Sequence, residues 1–151
     1  MPEHREPERL APRSLADYLE VMSKAVFQTG ISWRVVETKW PGIRDAFRGF
    51  DPEEVASFGP SEIDILAGDT RVIRNRRKLE AIVGNARRML ELDQGHTSFR
   101  HYLRSHGSFE ATLKDLRGEF KFLGDTGGYF FLYVVGEEVP SYEEWCGRRG
   151  R

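Results

Sequence analysis

The chain is poor in cysteine and has no excess of charge of either sign. Its 151 residues include one cysteine, Cys146, which excludes an internal disulfide and a multi-cysteine zinc site. Lysine and arginine number 23 against 24 aspartate and glutamate residues, so the formal net charge is −1. The whole chain therefore does not attract a polyanion, and any nucleic-acid surface must come from local clustering of charge.

Long apolar runs are also missing. No run approaches the roughly 20 residues that span a bilayer, and residues 1–13 lack the apolar stretch of a secretory signal. We therefore expect a cytoplasmic protein without a membrane partner. The length suits one domain of about 100–150 residues, and a hydrophobic fraction of 39% is enough to form a core.

Helix signals are frequent and strand alternation is scarce, which predicts an all-α fold. Pro41 is expected to end or kink the second helix. The apolar segment YFFLYVVG is compatible with a buried helix or a buried strand, and its helical surroundings favour the helix. Capping side chains precede the expected helices at Ser14, Ser32, Asp51, Ser98, Ser108, Thr126 and Ser141.

These signals predict a compact bundle of short helices with three parts. Residues 1–13 are expected to form a flexible arm, residues 14–146 a single helical domain, and residues 147–151 a basic tail. No internal repeat or low-complexity tract divides the chain, so the candidate functional residues should share one domain.

Five cations lie within eight residues, and they are Arg71, Arg74, Arg76, Arg77 and Lys78. Three of them occupy the first turn of the expected long helix, where the helix dipole is already positive. Two interpretations remain open. The cations can form a solvated face that pairs with acids such as Asp64 or Asp69, or they can bind a phosphate together with free backbone N–H groups.

Two further segments suggest contacts with nucleic acid. The segment FLGDTG, residues 122–127, has glycines that let the backbone approach a phosphate, although Asp125 would repel one and an ordinary turn is the alternative. The segment FQTGISW, residues 27–33, combines a glutamine that can read a base edge with aromatic and apolar side chains that can stack or wedge. Simple core packing of Phe27 and Trp33 is its alternative.

These segments belong to a longer resemblance. In order and spacing, QTGISW, AFRGFDPEEVASF, VIRNRRKLEAIVGNARRML and FKFLGDTGGYFFLYVVG resemble the 3-methyladenine DNA glycosylase I family of the helix-hairpin-helix superfamily. The resemblance implies an all-α fold that binds damaged double-stranded DNA. We expect no cofactor, and although the sequence leaves the oligomeric state open, we expect a monomer. It also implies that an alkylated base is flipped into an aromatic pocket and its N-glycosidic bond hydrolysed.

The resemblance assigns roles to individual residues. It implies a base pocket with Gln28 and Trp33, to which Tyr129 or Tyr133 could add aromatic faces, and a loop that enters the DNA. The superfamily often stabilises the sugar cation with an aspartate, and the nearest acids here are Glu137 and Glu138. The DNA-entering loop comprises Thr29, Gly30 and Ile31, and the expected phosphate ligands are Gly124, Thr126, Gly127 and the cations of residues 71–78.

Several positions depart from the family pattern. The base-binding glutamate of the family corresponds to Ala25, its zinc histidine to Ser141, and its zinc cysteine falls near Trp145 or Cys146. We therefore predict no bound metal. No lysine occupies the Schiff-base position of bifunctional members, which predicts a monofunctional enzyme.

Three functional hypotheses follow from this pattern. The first is a glycosylase for alkylated purines, because such cationic bases leave readily and aromatic faces with water could suffice. The second is a non-catalytic DNA-binding or damage-sensing relative of the same fold. The third is a protein-interaction module that has reused the fold.

Overall fold

The structure is a computed structural model that describes residues 6–149, the side chain of Arg149 excepted. Within that range it contains α-helices and no strand, which confirms the predicted all-α fold and the helical interpretation of YFFLYVVG. A short 3₁₀ turn at Arg48–Phe50 follows the second helix. The helices are α1 (Leu15–Gln28), α2 (Trp33–Ala46), α3 (Pro52–Ala56), α4 (Pro60–Ala67), α5 (Arg76–Gly95), α6 (Phe99–Leu103), α7 (Phe109–Glu119), α8 (Asp125–Val134) and α9 (Tyr142–Arg149).

Most helix starts follow from local capping. Five predicted caps are confirmed, because each side chain accepts a hydrogen bond at 3.0–3.2 Å from a backbone N–H two or three residues later, at Ser32, Asp51, Ser98, Ser108 and Ser141. Two cap predictions are wrong. Ser14 makes no side-chain cap bond, and Asp17 instead accepts from the backbone N–H of Arg13 at 2.8 Å. Helix α8 begins at Asp125, with Gly124 rather than Thr126 as its N-cap residue.

Of the two effects expected of Pro41, an end of α2 is excluded, because the helix continues through the proline to Ala46. Trp40, immediately before Pro41, is buried and stacks on Phe50 with ring centroids 5.4 Å apart. Its indole N–H also donates to the carboxylate of Glu20 at 2.8 Å. This packing holds the helix although proline removes one backbone hydrogen bond.

Helix α1 runs through the middle of the main core and packs against α2, α5 and α8, while α5 also covers α3, α4 and α6. A second, smaller cluster joins α7, α8 and α9 around Tyr129 and Trp145. Helices α7 and α8 approach so closely that a β-carbon at Gly128 would collide with Leu113. In the described part of the chain, no helix combines the length and the apolar character needed to cross a bilayer.

The segment predicted as a flexible arm packs against α8 over residues 6–13. The backbone N–H of Leu10 donates to the carbonyl of Val134 at 2.8 Å, and the guanidinium of Arg9 lies 4.2 Å from the centre of the Tyr133 ring. Residues 1–5 of the predicted arm lie outside the described residues. Of the predicted basic tail, residues 147–149 belong to α9 and residues 150–151 lie outside the described range.

Candidate nucleic-acid interface

The loop between α1 and α2, residues 28–32, forms a tight bend that we call the wedge loop. Gly30 adopts a φ of +75°, a left-handed conformation that a residue with a β-carbon rarely takes. The backbone N–H of Ile31 donates to the carbonyl of Gln28 at 3.1 Å and closes the bend. Thr29 and Gly30 are exposed while Gln28 and Ile31 are partly buried, so the tip of the loop faces solvent.

The two aromatic residues that flank the wedge loop have different environments. Phe27 is fully buried, with its ring edge-on to Trp40 and Phe47 in the core, so the core-packing interpretation is correct for this residue. Trp33 is the first residue of α2 and is only partly buried. Its buried indole N–H has no hydrogen-bond partner among the described residues. Trp33 is therefore the aromatic side chain at this bend that is not fully buried.

Ala25, at the position of the family's base-binding glutamate, is 7% exposed and lies against α8. A β-carbon built at Gly127 would stand 3.7 Å from the β-carbon of Ala25, an ordinary van der Waals contact. Helix α8 therefore occupies the space beside Ala25, and this part of the site presents no carboxylate.

The structure contradicts the prediction that Tyr129 lines a base pocket. Its side chain is fully buried, lies parallel to Trp145 with ring centroids 4.5 Å apart, and donates its hydroxyl to the carbonyl of Pro140 at 2.8 Å. Burial raises the pKa of Tyr129 to about 12. Tyr133 is no more available, because it is buried and Arg9 covers its ring. Both rings belong to the core between α8 and α9.

The basic cluster divides into paired and unpaired arginines. Arg71 pairs with Asp69 at 2.7 Å and Arg76 with Asp64 at 2.6 Å, so the solvated-face interpretation is confirmed for these two. The hydrogen bond from Arg71 lowers the pKa of the Asp69 carboxyl. Arg74 and Arg77 are exposed, and neither forms an ion pair within the described residues. These two side chains remain free to meet an anion.

Lys78 cannot bind a phosphate as predicted, because it is only 3% exposed. Its ammonium donates to the carbonyl of Phe27 at 3.0 Å and to the carbonyl of Thr29. Burial lowers the pKa of this amine. Lys78 therefore connects the start of α5 with the end of α1 and the wedge loop.

The turn between α7 and α8, residues 120–124, has the features of a phosphate-binding hairpin, and we refer to this turn with the first turn of α8 as the hairpin. Helix α8 starts at Asp125, and the N–H groups of its first turn have no carbonyl partner within the helix. Gly124 and Thr126 are exposed, and Gly127 is partly buried. Asp125 pairs with Arg117 at 2.9 Å, which offsets the repulsion that its carboxylate would exert on an anion.

An open groove of about 630 Å³ is lined by Thr29 of the wedge loop and by Gly124 of this hairpin. Lys114, Arg117 and Phe122 also line it, and none of these was expected from the sequence. Phe122 is 41% exposed and has a φ of +59°, a left-handed conformation that is unusual for a bulky residue. Cations beside an exposed aromatic ring suit the backbone and bases of a nucleic acid.

The two predicted catalytic acids lie beyond the other end of α8. Glu137 is buried and accepts hydrogen bonds from Nε and Nη2 of Arg104, each at 3.1 Å, which contradicts its role as a free catalytic carboxylate. Glu138 is exposed. At about 1.5 Å of rise per residue, α8 separates these acids from Gly124 by roughly 15 Å. The structure therefore does not bring them to the wedge loop.

The residues at the family's zinc positions do not fit a zinc ion. Ser141 caps α9 by accepting from the backbone N–H of Glu144 at 3.1 Å, and Trp145 is buried in the stack with Tyr129. Cys146 is an exposed free thiol. Across residues 6–149 no three histidine, cysteine or acidic side chains form a group that could hold a metal.

Comparison with known proteins connects this interface to a family. The profile of the methyladenine glycosylase family matches residues 13–118, which ends before the hairpin. The chain is 31% identical to DNA-3-methyladenine glycosylase 1 of Escherichia coli (strain K12), a match that covers 72% of this chain and 70% of that protein. It is also 31% identical to the DNA-3-methyladenine glycosylase of Haemophilus influenzae, with the same coverage.

Solved structures show that the similarity in fold covers most of the chain. The 3-methyladenine DNA glycosylase I of Staphylococcus aureus superposes with a TM-score of 0.74 at 27% identity, covering 88% of this chain and 82% of that one. A solution structure of a 3-methyladenine DNA glycosylase I matches with a TM-score of 0.72, also at 27% identity, and covers 93% of this chain and 84% of that one.

Proposed function

The chain belongs to the methyladenine glycosylase family, and from that premise we propose that it hydrolyses the N-glycosidic bond of alkylated purines such as 3-methyladenine in double-stranded DNA. One observation carries this proposal. Thr29 of the wedge loop and Gly124 of the hairpin line one groove. An enzyme that flips a base has to unstack it and hold the neighbouring backbone, so a loop and a phosphate-binding turn at one groove support this activity.

The contacts with DNA divide into three groups. The free N–H groups at the start of α8 hold one phosphate, assisted by the exposed ammonium of Lys114. Arg74 and Arg77 bind a second stretch of backbone before α5 and in its first turn. The wedge loop takes the place of the extruded nucleotide, with Ile31 as its apolar residue. Trp33, which is only partly buried, stacks on the flipped base.

The chemistry relies on the charge of the lesion. A purine alkylated at N3 or N7 is cationic in DNA, so it leaves as a neutral base when the bond from C1′ breaks and its electron pair stays on the base. Water adds to C1′ and releases one proton to solvent. No carboxylate stands beside Ala25, so binding of the cation on an aromatic face replaces the family's hydrogen bond. No lysine occupies the Schiff-base position of bifunctional members, so we expect base release without strand cleavage.

Release of free base from methylated duplex DNA tests this proposal. The wild-type protein should release 3-methyladenine or 7-methylguanine, and Trp33→Ala should lose that activity because it removes the stacking face. Val35→Ala is a matched control, since Val35 lies on α2 two residues further and is 45% exposed without contacting the groove. If the wild-type protein releases no base from methylated duplex under any tested condition, the glycosylase proposal fails.

The contact between Ala25 and Gly127 favours a second candidate, a DNA-binding relative without catalysis, because α8 occupies the space beside Ala25. Duplex binding that weakens steeply with salt, without base release, would identify that relative. Binding to another protein with an affinity that does not depend on salt would instead indicate a protein-interaction module.

We further propose that the protein acts as a monomer in the cytoplasm, which sedimentation analysis and cell fractionation can check.

A further inference from the structure

We infer that Lys78 is a positioning residue that holds the wedge loop in the conformation that enters DNA. This inference rests on the proposed function, because it concerns how the loop opens a duplex. Lys78 is 3% exposed, and its ammonium donates to the carbonyl of Phe27 at 3.0 Å and to the carbonyl of Thr29. The first carbonyl belongs to the last turn of α1 and the second to the loop, so one cation holds both.

A lysine suits this position for electrostatic reasons. The last carbonyls of a helix have no partner within the helix and carry partial negative charge, which favours a cation at that end. An ammonium has three N–H donors, so it can serve two carbonyls at once. These two bonds offset the cost of burying a charge away from water.

The wedge loop has few other fixed points. The bond from Ile31 to the carbonyl of Gln28 lies within the loop, and the hydroxyl of Thr29 donates at 3.3 Å to the carbonyl of Ala25 on the adjoining helix. Of the hydrogen bonds that join residues 28–32 to the rest of the described chain, the one from Lys78 to the carbonyl of Thr29 comes from outside α1 and α2. Removing it leaves the loop held by its hydrogen bonds to the two helices that it joins and by the packing of Ile31 on the core.

Lys78 also connects the wedge loop to a side chain that can bind the DNA backbone. Arg77 immediately precedes Lys78 in the first turn of α5, and its exposed side chain is free to bind a phosphate. A phosphate bound by Arg77 is therefore connected to the wedge loop through the first turn of α5 and Lys78. Displacement of reacting groups by about 1 Å can lower a rate on the order of 100-fold.

The test compares two substrates and three proteins. Lys78→Met keeps the length of the side chain but removes the ammonium, and Lys39→Met is the matched control. Lys39 also donates to a backbone carbonyl, that of Thr70 at 3.0 Å, but on another part of the surface. Base release is measured on methylated duplex and on the same methylated strand unpaired, because only the duplex requires the loop to open a base stack.

We expect Lys78→Met to lower release from the duplex on the order of 10- to 100-fold, while release from the single strand stays within about threefold of wild type. Lys39→Met should match wild type on both substrates. Equal loss on both substrates would mean that Lys78 serves general folding, and unchanged release from the duplex would mean that the loop needs no support. Either result overturns the inference.

A second readout separates this inference from the proposed function. If the wild-type protein releases no base from either substrate, the glycosylase proposal has failed, and opening of a duplex is followed instead by the fluorescence of 2-aminopurine placed in it. A weaker fluorescence rise with Lys78→Met than with wild type supports the positioning role. An equal rise, or none with either protein, overturns it.

Discussion

Arg104 and Glu137 join the end of α6 to the segment that follows α8, and replacing Arg104 by methionine should leave a buried carboxylate without its partner. The Glu137 side chain is 9% exposed, whereas that of Arg104 is 58% exposed. Breaking a fully buried ion pair costs about 3–5 kcal/mol. Because water reaches the arginine side of this pair, we expect about 2 kcal/mol for Arg104→Met, a fall in Tm of roughly 4–8 °C in a chain of this size.

Thermal unfolding followed by circular dichroism measures this loss of stability. A double-mutant cycle of Arg104→Met with Glu137→Gln gives the interaction energy between the two side chains. Glu137→Gln alone should cost less, since the amide oxygen can still accept from the guanidinium, and base release measured well below Tm should stay within about threefold of wild type. The matched control Glu138→Gln, at an exposed neighbour, should change stability by less than about 0.5 kcal/mol. If Glu137→Gln keeps the wild-type Tm but abolishes base release, the carboxylate is catalytic and our reasoning is wrong.

Three further measurements test other parts of the structure. Arg74→Ala should weaken duplex binding for all sequences and reduce the slope of log affinity against log salt by about one, as fluorescence anisotropy at several salt concentrations would show; an unchanged slope would remove this arginine from the interface. Trp145→Ala should destabilise the protein by about 3–5 kcal/mol in denaturant unfolding, because it empties the aromatic stack with α8, and a change below 1 kcal/mol would contradict that packing. Burial raises the pKa of Asp115, but the hydrogen bonds from Tyr102 and His106 lower it by a larger amount. The pKa therefore lies below the usual value of 3.8. The ionised carboxylate therefore stabilises the fold above about pH 4, and the stability difference between wild type and Asp115→Asn should disappear as the pH falls through the lowered pKa.

Local chemistry explains which parts of the fold were predictable. The caps at Ser32, Asp51, Ser98, Ser108 and Ser141 were predictable because a short polar side chain meets the free N–H groups of its own helix, without help from distant residues. The end of α2 was not predictable, since the helix passes Pro41 only because Trp40 packs on Phe50 and bonds to Glu20, which lie far away in sequence. Tertiary packing of this kind overrides local preference.

The candidate site likewise has parts that were predictable from the sequence and parts that were not. The order of its segments and the tight bend at Gly30 could be inferred from the sequence, but whether each cation is paired, buried or exposed could not. In the run RVIRNRRK the exposed Arg76 and Arg77 directly precede the buried Lys78 in the first turn of α5. The apolar residues Ile82 and Ala86, four and eight positions after Lys78, were a usable sign that Lys78 points inward. Phe122 gave no such sign, because its left-handed backbone depends on how closely α7 and α8 approach at Gly128.

The scarcity of free cations at the interface has a consequence for how the protein would find its target. Among the cations considered above, Arg71, Arg76 and Arg117 pair with carboxylates, whereas Arg74, Arg77 and Lys114 are exposed and form no ion pair within the described residues. Under the proposed function, three phosphate contacts from these cations correspond to a salt slope of about −3, well short of proteins that make six to ten. We therefore expect a weak and brief grip on undamaged DNA. Such a protein inspects a genome through many short encounters and repeated rebinding, and recognition of the flipped base, rather than long sliding along the duplex, determines where it stops.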